Sequence, residues 1–295
     1  MAEDKSGDIR GDVQISNEEE RQYHINLAPG EVAPYIIIVG DPNRATKTSK
    51  FLTTIQLERK NREFWSYSGE YHGTPITVLS TGIGTDNVEI AVIELAQIVQ
   101  IAPTILRVGS CGALQDNIEL GDLVVSTGAV RLENTSLFFV DEGYSAIAHY
   151  EVVMALSEAC ERLNFPYHQG LTASASGFYG AQGRNIPGFP LRYADLPERL
   201  RERNVLNFEM ESSTLFTLGT LRNIRTGTIC AVYANRFTNK FITTEKKQQA
   251  ETHCIRAGLE ACKILAQMDK IKKDHNFSHW LPSLKINKKY PVFSD

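Results

Sequence analysis

The sequence lacks the patterns by which proteins bind metals or build disulfide frameworks. Its five cysteines are an odd number without a CxxC pair, and its seven histidines include no HExxH motif. Zinc sites and disulfide-rich domains need paired ligands of this kind or an even set of cysteines. We therefore expect reduced thiols, no bound metal and a cytoplasmic location.

It also lacks a long apolar run and an excess of positive charge. An apolar run such as Tyr35–Val39 is far shorter than the about 20 residues that span a bilayer. Residues 1–5 are polar and acidic, unlike the basic start and apolar stretch of a signal peptide. The net charge of −4 gives no overall positive field that would attract nucleic acid. We expect neither a membrane nor nucleic acid as a partner.

The composition is otherwise that of an ordinary folded protein. The 295 residues are 42% hydrophobic and 22% charged, which allows a sizeable core. Residues 1–22 are polar, and we predict that they form a flexible N-terminal arm. Residues 23–268 show no repeat or composition break and are predicted to form a single domain. Residues 269–295 are rich in lysine and are predicted to be a basic C-terminal extension.

Short apolar runs alternate with helical patterns along this domain. The predicted buried strands are rich in Ile and Val and span Ile36–Val39, Ile76–Leu79, Ile105–Val108, Leu123–Ser126 and Thr228–Val232. The predicted helices span Asn87–Val99, Ala148–Leu163 and Glu245–Met268. Strands that alternate with helices predict an α/β fold. We expect a three-layer sandwich in which helices flank a central mixed, mostly parallel sheet.

Two glycine-containing turns carry arginines that could bind an anion. Gly40 ends a predicted strand, and Arg44 projects from the first turn after it. Arg107 lies inside the apolar strand that ends near Ser110. Because a buried guanidinium needs a partner, either a bound phosphate or an internal ion pair would explain it. A third glycine-rich run, Ser80–Asn87, lacks the last glycine of a dinucleotide-binding motif, so that interpretation is weak.

Two further segments carry groups that suit a nucleoside. In the run Phe178–Arg184, an amide and a guanidinium can bond the carbonyl, N–H, carbonyl edge of a pyrimidine-2,4-dione. In Asn207–Ser212, two carboxylates two residues apart can accept from the hydroxyls of a ribose. Each segment could equally be a solvated loop, and the residues alone leave that alternative open.

In combination, these segments resemble the uridine phosphorylases of the nucleoside phosphorylase superfamily over residues 23–268. The motifs are Gly-Asp-Pro-x-Arg at Gly40–Arg44, Phe-Tyr-x-x-Gln-x-Arg at Phe178–Arg184 and Asn-x-Glu-Met-Glu-Ser at Asn207–Ser212. The resemblance implies a pentosyltransferase of pyrimidine salvage, which converts uridine and phosphate reversibly to uracil and ribose 1-phosphate. It implies no cofactor, since inorganic phosphate is a co-substrate.

The resemblance also implies a role for each matching residue. The catalytic residues would be Arg107, Gln182, Arg184 and Glu211. Phosphate would be held by Gly40, Arg44, Arg62, Arg107 and Ser110. Ribose would be held by His24, Thr81, Glu209, Met210 and Glu211, and the base by Phe178, Gln182, Arg184 and Arg236. Arg62 and His24 would reach the site of a neighbouring subunit, which implies a homodimer with shared active sites and leaves a hexamer open.

Several departures from the family pattern bear on the substrate. Tyr233-Ala234 stands where a small aliphatic pair is expected near the base, and Ser110-Cys111 replaces a pair of hydroxyl residues. The strand that ends at Arg236 carries no Asp of the kind by which purine enzymes protonate their leaving base, which favours a pyrimidine. The alternatives are a phosphorylase of broader nucleoside specificity, a nucleosidase that uses water, and a catalytically weak paralogue that binds nucleosides.

Overall fold

The computed structural model describes residues 21–99 and 103–281, so most of the predicted N-terminal arm and the end of the predicted extension lie outside the described residues. The strands in this part of the chain are β1 (Tyr35–Val39), β2 (Thr53–Asn61), β3 (Phe64–Tyr71), β4 (Thr74–Ser80), β5 (Thr104–Ala113), β6 (Leu123–Leu132), β7 (Ala146–Ile147), β8 (Tyr167–Ala175), β9 (Asn207–Glu209), β10 (Arg225–Asn235) and β11 (Lys240–Phe241). The α-helices are α1 (Pro42–Ser49), α2 (Thr85–Ile98), α3 (Tyr150–Leu163), α4 (Leu196–Glu202), α5 (Ser212–Leu221) and α6 (Thr244–Asp274), and a short 3-10 helix covers Thr135–Phe138.

The strands form one mixed sheet whose long central ladders are parallel. β1 pairs in parallel with β4 and β5, and β5 pairs in parallel with β10. The outer strands β2 and β3 are antiparallel to their neighbours. Beyond β10, the ladder continues through β6, β8 and β9 and returns to β5 at Gly112 and Ala113, so five strands close on themselves. The α/β prediction is confirmed, and the closure is a feature that the sequence did not indicate.

The sheet is covered on both faces because its strands are apolar on both sides. In β1, Ile37 and Val39 pack in a core formed with α3 and α6, whereas Ile36 and Ile38 pack in a second core formed with α2 and α5. This alternation follows from the two-residue period of a strand. Each fully buried Ile contributes about 1.5–3 kcal/mol to the free energy of unfolding. The result is the three-layer arrangement of helices, sheet and helices.

A buried group of charges closes the end of the sheet where β5 and β10 begin. Glu151 of α3 accepts from Arg225 at 2.7 Å and from Lys272 at 2.6 Å. The same carboxylate accepts from the backbone N–H of Trp280 at 2.8 Å. Arg225 also donates to Asp269. These bonds fasten the end of α6, which continues past Met268 without a break, to α3 and β10.

The opposite end of the sheet carries the glycine turns of the sequence motifs. Gly40 follows β1, and Gly82 follows β4 with a positive φ of 80°. The two backbones approach so closely that a Cβ on Gly40 would lie 3.2 Å from the Gly82 carbonyl oxygen. The carboxyl ends of parallel strands are where open α/β sheets bind their ligands.

No helix among the described residues has the length and hydropathy to cross a bilayer.

Candidate active site

A cavity of about 820 Å³ lies at the carboxyl ends of β1, β4, β5 and β10. It collects residues from all the sequence motifs. Of the predicted site residues, those that line it are Gly40, Arg44, Arg107, Ser110, Phe178, Gln182, Arg184, Glu209, Met210 and Glu211. Such a concave site with convergent polar groups is the usual setting of a small-molecule binding site.

Arg107 reaches the cavity because the strand that carries it also carries a glycine two residues on. Residues 107 and 109 of β5 share one face of the strand. A Cβ on Gly109 would lie 2.0 Å from Nη1 of Arg107. The guanidinium therefore folds over the glycine, in space that any other residue would fill.

The guanidinium of Arg107 is buried against two carboxylates. Its Nη2 forms an ion pair with Oε2 of Glu211, and its Nη1 lies 3.4 Å from Oε2 of Glu209. Nη1 also lies 2.9 Å from Sγ of Cys230. Burial by itself would lower the pKa of Arg107, but Glu211 and Glu209 outweigh it and raise that pKa. The internal ion pair, one of the two alternatives that the sequence allows for Arg107, is thus present. The charged arginine also lines the cavity.

The two carboxylates are placed by the junction of β9 with α5. Glu209 accepts from the backbone N–H groups of Glu211 and Ser212 at 3.0 Å and from the hydroxyl of Ser174. Glu211 immediately precedes α5, and its Oε1 accepts from the N–H of Gly84 at 2.8 Å. Burial raises the pKa of Glu209, with help from the neighbouring Glu211 carboxylate. Glu209 therefore supports the loop, and Glu211 stands between Arg107 and Gly84.

Arg44 is held at the cavity wall by helix α6. Asp41 caps α1 by accepting from the N–H of Asn43, and Pro42 supplies the first helical residue. This start directs Arg44 inward, where its Nε donates to Oε1 of Glu251 at 2.9 Å. Burial opposes the positive charge, but Tyr233 and Glu251 outweigh it and raise the pKa of Arg44. A second cation from α1, Lys47, shares the same carboxylate at 2.5 Å.

The run from Phe178 to Arg184 contributes three residues to the cavity wall, Phe178, Gln182 and Arg184. Gln182 is buried, and Nε of Arg184 donates to the Phe178 carbonyl at 3.0 Å. The Arg184 guanidinium stacks on the Phe178 ring, 4.1 Å from its centroid. Burial and the nearby Arg236 lower the pKa of Arg184. Arg236 itself is not at the cavity surface, but its Nη2 donates to the Gln182 carbonyl at 2.8 Å.

Three other predicted residues lie off the cavity surface. Thr81 is buried next to Gly82, with its N–H on the Val39 carbonyl at 2.8 Å. His24 contacts Glu94 through Nδ1 at 2.6 Å, and the Arg62 guanidinium lies 5.4 Å from the centroid of the Tyr23 ring. His24 and Arg62 are neighbours at one edge of the chain, since Asn61 donates to the His24 carbonyl at 2.7 Å. Neither faces the cavity of its own chain.

Sequence reasoning missed several residues that line the cavity. They are Asp41, Pro42, Ile83, Cys111, Gly112, Phe208, Tyr233, Ala234, Phe241, Ile242 and Lys247. Gly82, which the resemblance implies to lie close to the nucleoside together with Thr81, also lines the cavity. Tyr233 and Ala234 were noted only as departures from a pattern. Phe241 and Ile242 reach the cavity because β11 pairs antiparallel with the end of β10. A strand as short as β11 has no recognisable sequence pattern, so this contact could not be predicted.

Three comparisons with known proteins agree with this geometry. A sequence model of the phosphorylase superfamily matches residues 34–268. The chain is 44% identical to a uridine phosphorylase of Thermococcus kodakarensis over 91% of this chain and 95% of that protein. It is 35% identical to a uridine phosphorylase of Escherichia coli K12 over 82% of this chain and 97% of that protein.

The fold comparison gives the same result. A crystal structure of uridine phosphorylase from Vibrio fischeri ES114 superposes with a TM-score of 0.73 at 31% identity, over 84% of this chain and 97% of that one. The matched residues contain every residue that lines the cavity. The resemblance inferred from the motifs is confirmed, and the chain belongs to the phosphorylase superfamily.

Proposed function

We propose that the chain catalyses the reversible phosphorolysis of uridine to uracil and ribose 1-phosphate. The observation that carries the proposal is the set of groups that line one cavity. Arginines, two carboxylates, and an amide with a guanidinium all line it, and Arg107 contacts both carboxylates. Phosphate, ribose and uracil present groups complementary to these three sets.

The phosphate end consists of Arg44, Arg107, Ser110 and the backbone at Gly40. Fixed guanidinium groups bind a tetrahedral anion through charge-assisted hydrogen bonds. Arg107 has its Nη2 on Glu211 and its Nη1 near Glu209, so a bound phosphate would also lie close to the sugar. Arg62 of a neighbouring subunit adds a further cation in this proposal.

The ribose end consists of Glu211 and the Met210 backbone, with Glu209 and Thr81 in support. A carboxylate can accept from both hydroxyls of a cis-diol, and Glu211 already has its position fixed by Gly84 and Arg107. His24 of the neighbouring subunit would contact the 5′-hydroxyl. Its bond to Glu94 fixes the orientation of the ring.

The base end supplies the stabilisation that bond cleavage needs. The electron pair of the bond between ribose C1′ and uracil N1 leaves with the base, and a phosphate oxygen forms the new bond to C1′. Positive charge develops on the sugar, which phosphate offsets, while negative charge develops on the uracil oxygens. In this proposal Gln182 and Arg184 donate to those oxygens, Phe178 packs against the base, and Arg236 supports Gln182 through its bond to the Gln182 carbonyl.

The assembly and the division of the chain follow from these assignments. We propose a homodimer with shared active sites, because His24 and Arg62 do not face their own cavity. The working unit is the single domain of residues 23–268, and the reaction needs phosphate but no cofactor.

The test is an assay of uridine cleavage with and without inorganic phosphate. We expect uracil and ribose 1-phosphate in equal amounts, and no cleavage without phosphate. Inosine and thymidine run in parallel report on broader specificity. Cleavage that does not depend on phosphate would identify a nucleosidase, and uridine binding without cleavage would identify a catalytically weak paralogue.

A further inference from the structure

A bulge in β10 turns a tyrosine into the cavity. The parallel ladder between β10 and β5 pairs Val232 with Cys111 and Ala234 with Gly112, which leaves Tyr233 as the extra residue. A bulge of this kind re-aims a side chain beside a site. The Tyr233 side chain lines the same cavity as Arg44 and Arg107.

The hydroxyl of Tyr233 meets the arginine at the phosphate end. Nη2 of Arg44 donates to this hydroxyl oxygen at 3.5 Å. A guanidinium has hydrogens to donate and no lone pair to accept with, so the tyrosine oxygen is the acceptor in this contact. The hydroxyl hydrogen then remains available. Within residues 21–99 and 103–281, no protein group accepts it.

Two further bonds hold the Arg44 guanidinium in place, so its contact with the Tyr233 hydroxyl is also held in place. Nε of Arg44 donates to Glu251 at 2.9 Å, and Nη1 donates to the Val108 carbonyl at 3.3 Å. Glu251 also binds Lys47, so two cations share one carboxylate and the group keeps a net positive charge. Lys247 adds another cation 5.2 Å from the centroid of the Tyr233 ring. An anion is the ligand that this surrounding attracts.

We propose that the Tyr233 hydroxyl donates a hydrogen bond to the phosphate held by Arg44, and so acts as a phosphate-binding residue. The inference rests on the proposed function and extends it to a residue that no motif contains. Phosphate oxygen is a strong acceptor, and a donor fixed by a neighbouring guanidinium loses little freedom on binding.

The protonation state of the tyrosine suits this role. Burial raises the pKa of Tyr233, and Glu251 raises it further, against the opposing effect of Arg44. The hydroxyl therefore keeps its hydrogen at neutral pH and remains a donor. The aromatic ring fills the wall of the cavity, so removing the hydroxyl alone leaves the packing intact.

The test compares two variants that each remove one hydroxyl. Tyr233→Phe removes the proposed donor. Tyr35→Phe is the matched control, because its hydroxyl bonds Asp269 at 2.7 Å in the opposite end of the sheet. Steady-state kinetics give the KM for phosphate and for uridine, and calorimetry with inorganic phosphate gives its Kd.

We expect Tyr233→Phe to raise the KM and Kd for phosphate about tenfold, as the loss of one charge-assisted hydrogen bond requires. The KM for uridine should stay within about twofold of wild type. Tyr35→Phe should leave the phosphate constants unchanged.

Four results would overturn the inference. Phosphate constants of Tyr233→Phe equal to those of wild type would remove its basis, and so would an equal loss in Tyr35→Phe. A rise in the KM for uridine alone would place the tyrosine at the base. A wild-type protein that neither binds phosphate nor cleaves uridine in its presence would overturn the proposed function as well, which separates the two failures.

Discussion

Arg107 and Glu211 form an ion pair between β5 and the residue that precedes α5, although 104 positions of sequence separate them. The pair joins an arginine and a carboxylate that both line the cavity. Because Glu211 is also bonded to the N–H of Gly84, strand β5 and the two loops that follow β4 and β9 are tied together at one point. A change in any of the three should therefore affect the geometry of the other two.

Gly109→Ala should sharply lower activity while the chain still folds. The new methyl group would occupy the position of the Arg107 guanidinium, whose atoms lie 2.0–2.9 Å from it. The guanidinium can swing aside, but it then leaves Glu211. Since a displaced charged donor costs about 100-fold or more in rate, we expect a fall of that size in kcat/KM. Gly143→Ala is the control, because a Cβ there meets nothing within 4 Å. Equal activity of the two variants would refute the prediction.

Arg184→Gln should lower kcat for uridine by about 100-fold, with a smaller change in KM. In the proposed function, the guanidinium stabilises the charge that develops on the departing base. Arg192→Gln provides a control from the segment between β8 and α4 that also contains Arg184, since Arg192 stacks on Tyr193 and does not line the cavity. The measurement is initial rate against uridine concentration at saturating phosphate. A change in KM alone would mean that Arg184 binds the substrate without stabilising the transition state.

Two inactive variants should restore activity when their chains are mixed in one dimer. Arg62→Met would remove the arginine that a chain contributes to its partner's active site. Arg107→Met would remove the arginine that a chain contributes to its own active site. In random heterodimers one of the two sites is intact, so mixing after reversible denaturation should recover about a quarter of wild-type activity. Each variant refolded alone is the control. No recovery from the mixture would contradict shared sites.

Stability should decline in acid through the charge group around Glu151. Burial opposes its ionisation, but bonds from Lys272, Arg225 and the Trp280 backbone outweigh that effect and hold the pKa of Glu151 below its ordinary value of 4.5. A carboxylate with a lowered pKa stabilises the fold above its unfolded value and loses that contribution as the pH falls through the folded value. The free energy of unfolding should therefore be steady near neutrality and fall below about pH 4.5.

Glu151→Gln tests this origin by urea unfolding at several pH values. At neutral pH the variant should lose about 3 kcal/mol, because two cations are left without their carboxylate, and its stability should depend less on acid. Glu158→Gln is the control, since its ion pair with Arg162 is exposed and is worth at most about 1 kcal/mol. The same acid dependence in wild type and Glu151→Gln would rule out the assignment.

The elements of the fold were predictable where the sequence carries a strong period. The Ile and Val of β1 mark a strand buried on both faces, and the predicted helix Glu245–Met268 lies within α6. Boundaries were less certain, because local capping decides them. The helix predicted from Asn87 begins at Thr85, after Gly84, and no side chain caps it.

Contacts between distant segments were beyond the reach of the sequence. Arg44 and Glu251 lie 207 residues apart, and no sequence pattern in either segment indicates that the two residues pair. The bulge at Tyr233 depends on the register of β10 against β5, which is set by packing. The motifs were nevertheless predicted to meet, and ten of the predicted residues do line one cavity. Their roles toward substrate stay predictions.

The most direct measurement of the central claim follows the oxygen atoms of phosphate. Uridine would be incubated with phosphate fully labelled with oxygen-18, and the sugar product examined by phosphorus-31 magnetic resonance and mass spectrometry. If phosphate is the nucleophile in this cavity, ribose 1-phosphate retains every labelled oxygen, including the one bonded to C1′. Free ribose carrying an oxygen from water, with the phosphate left unchanged, would contradict the account.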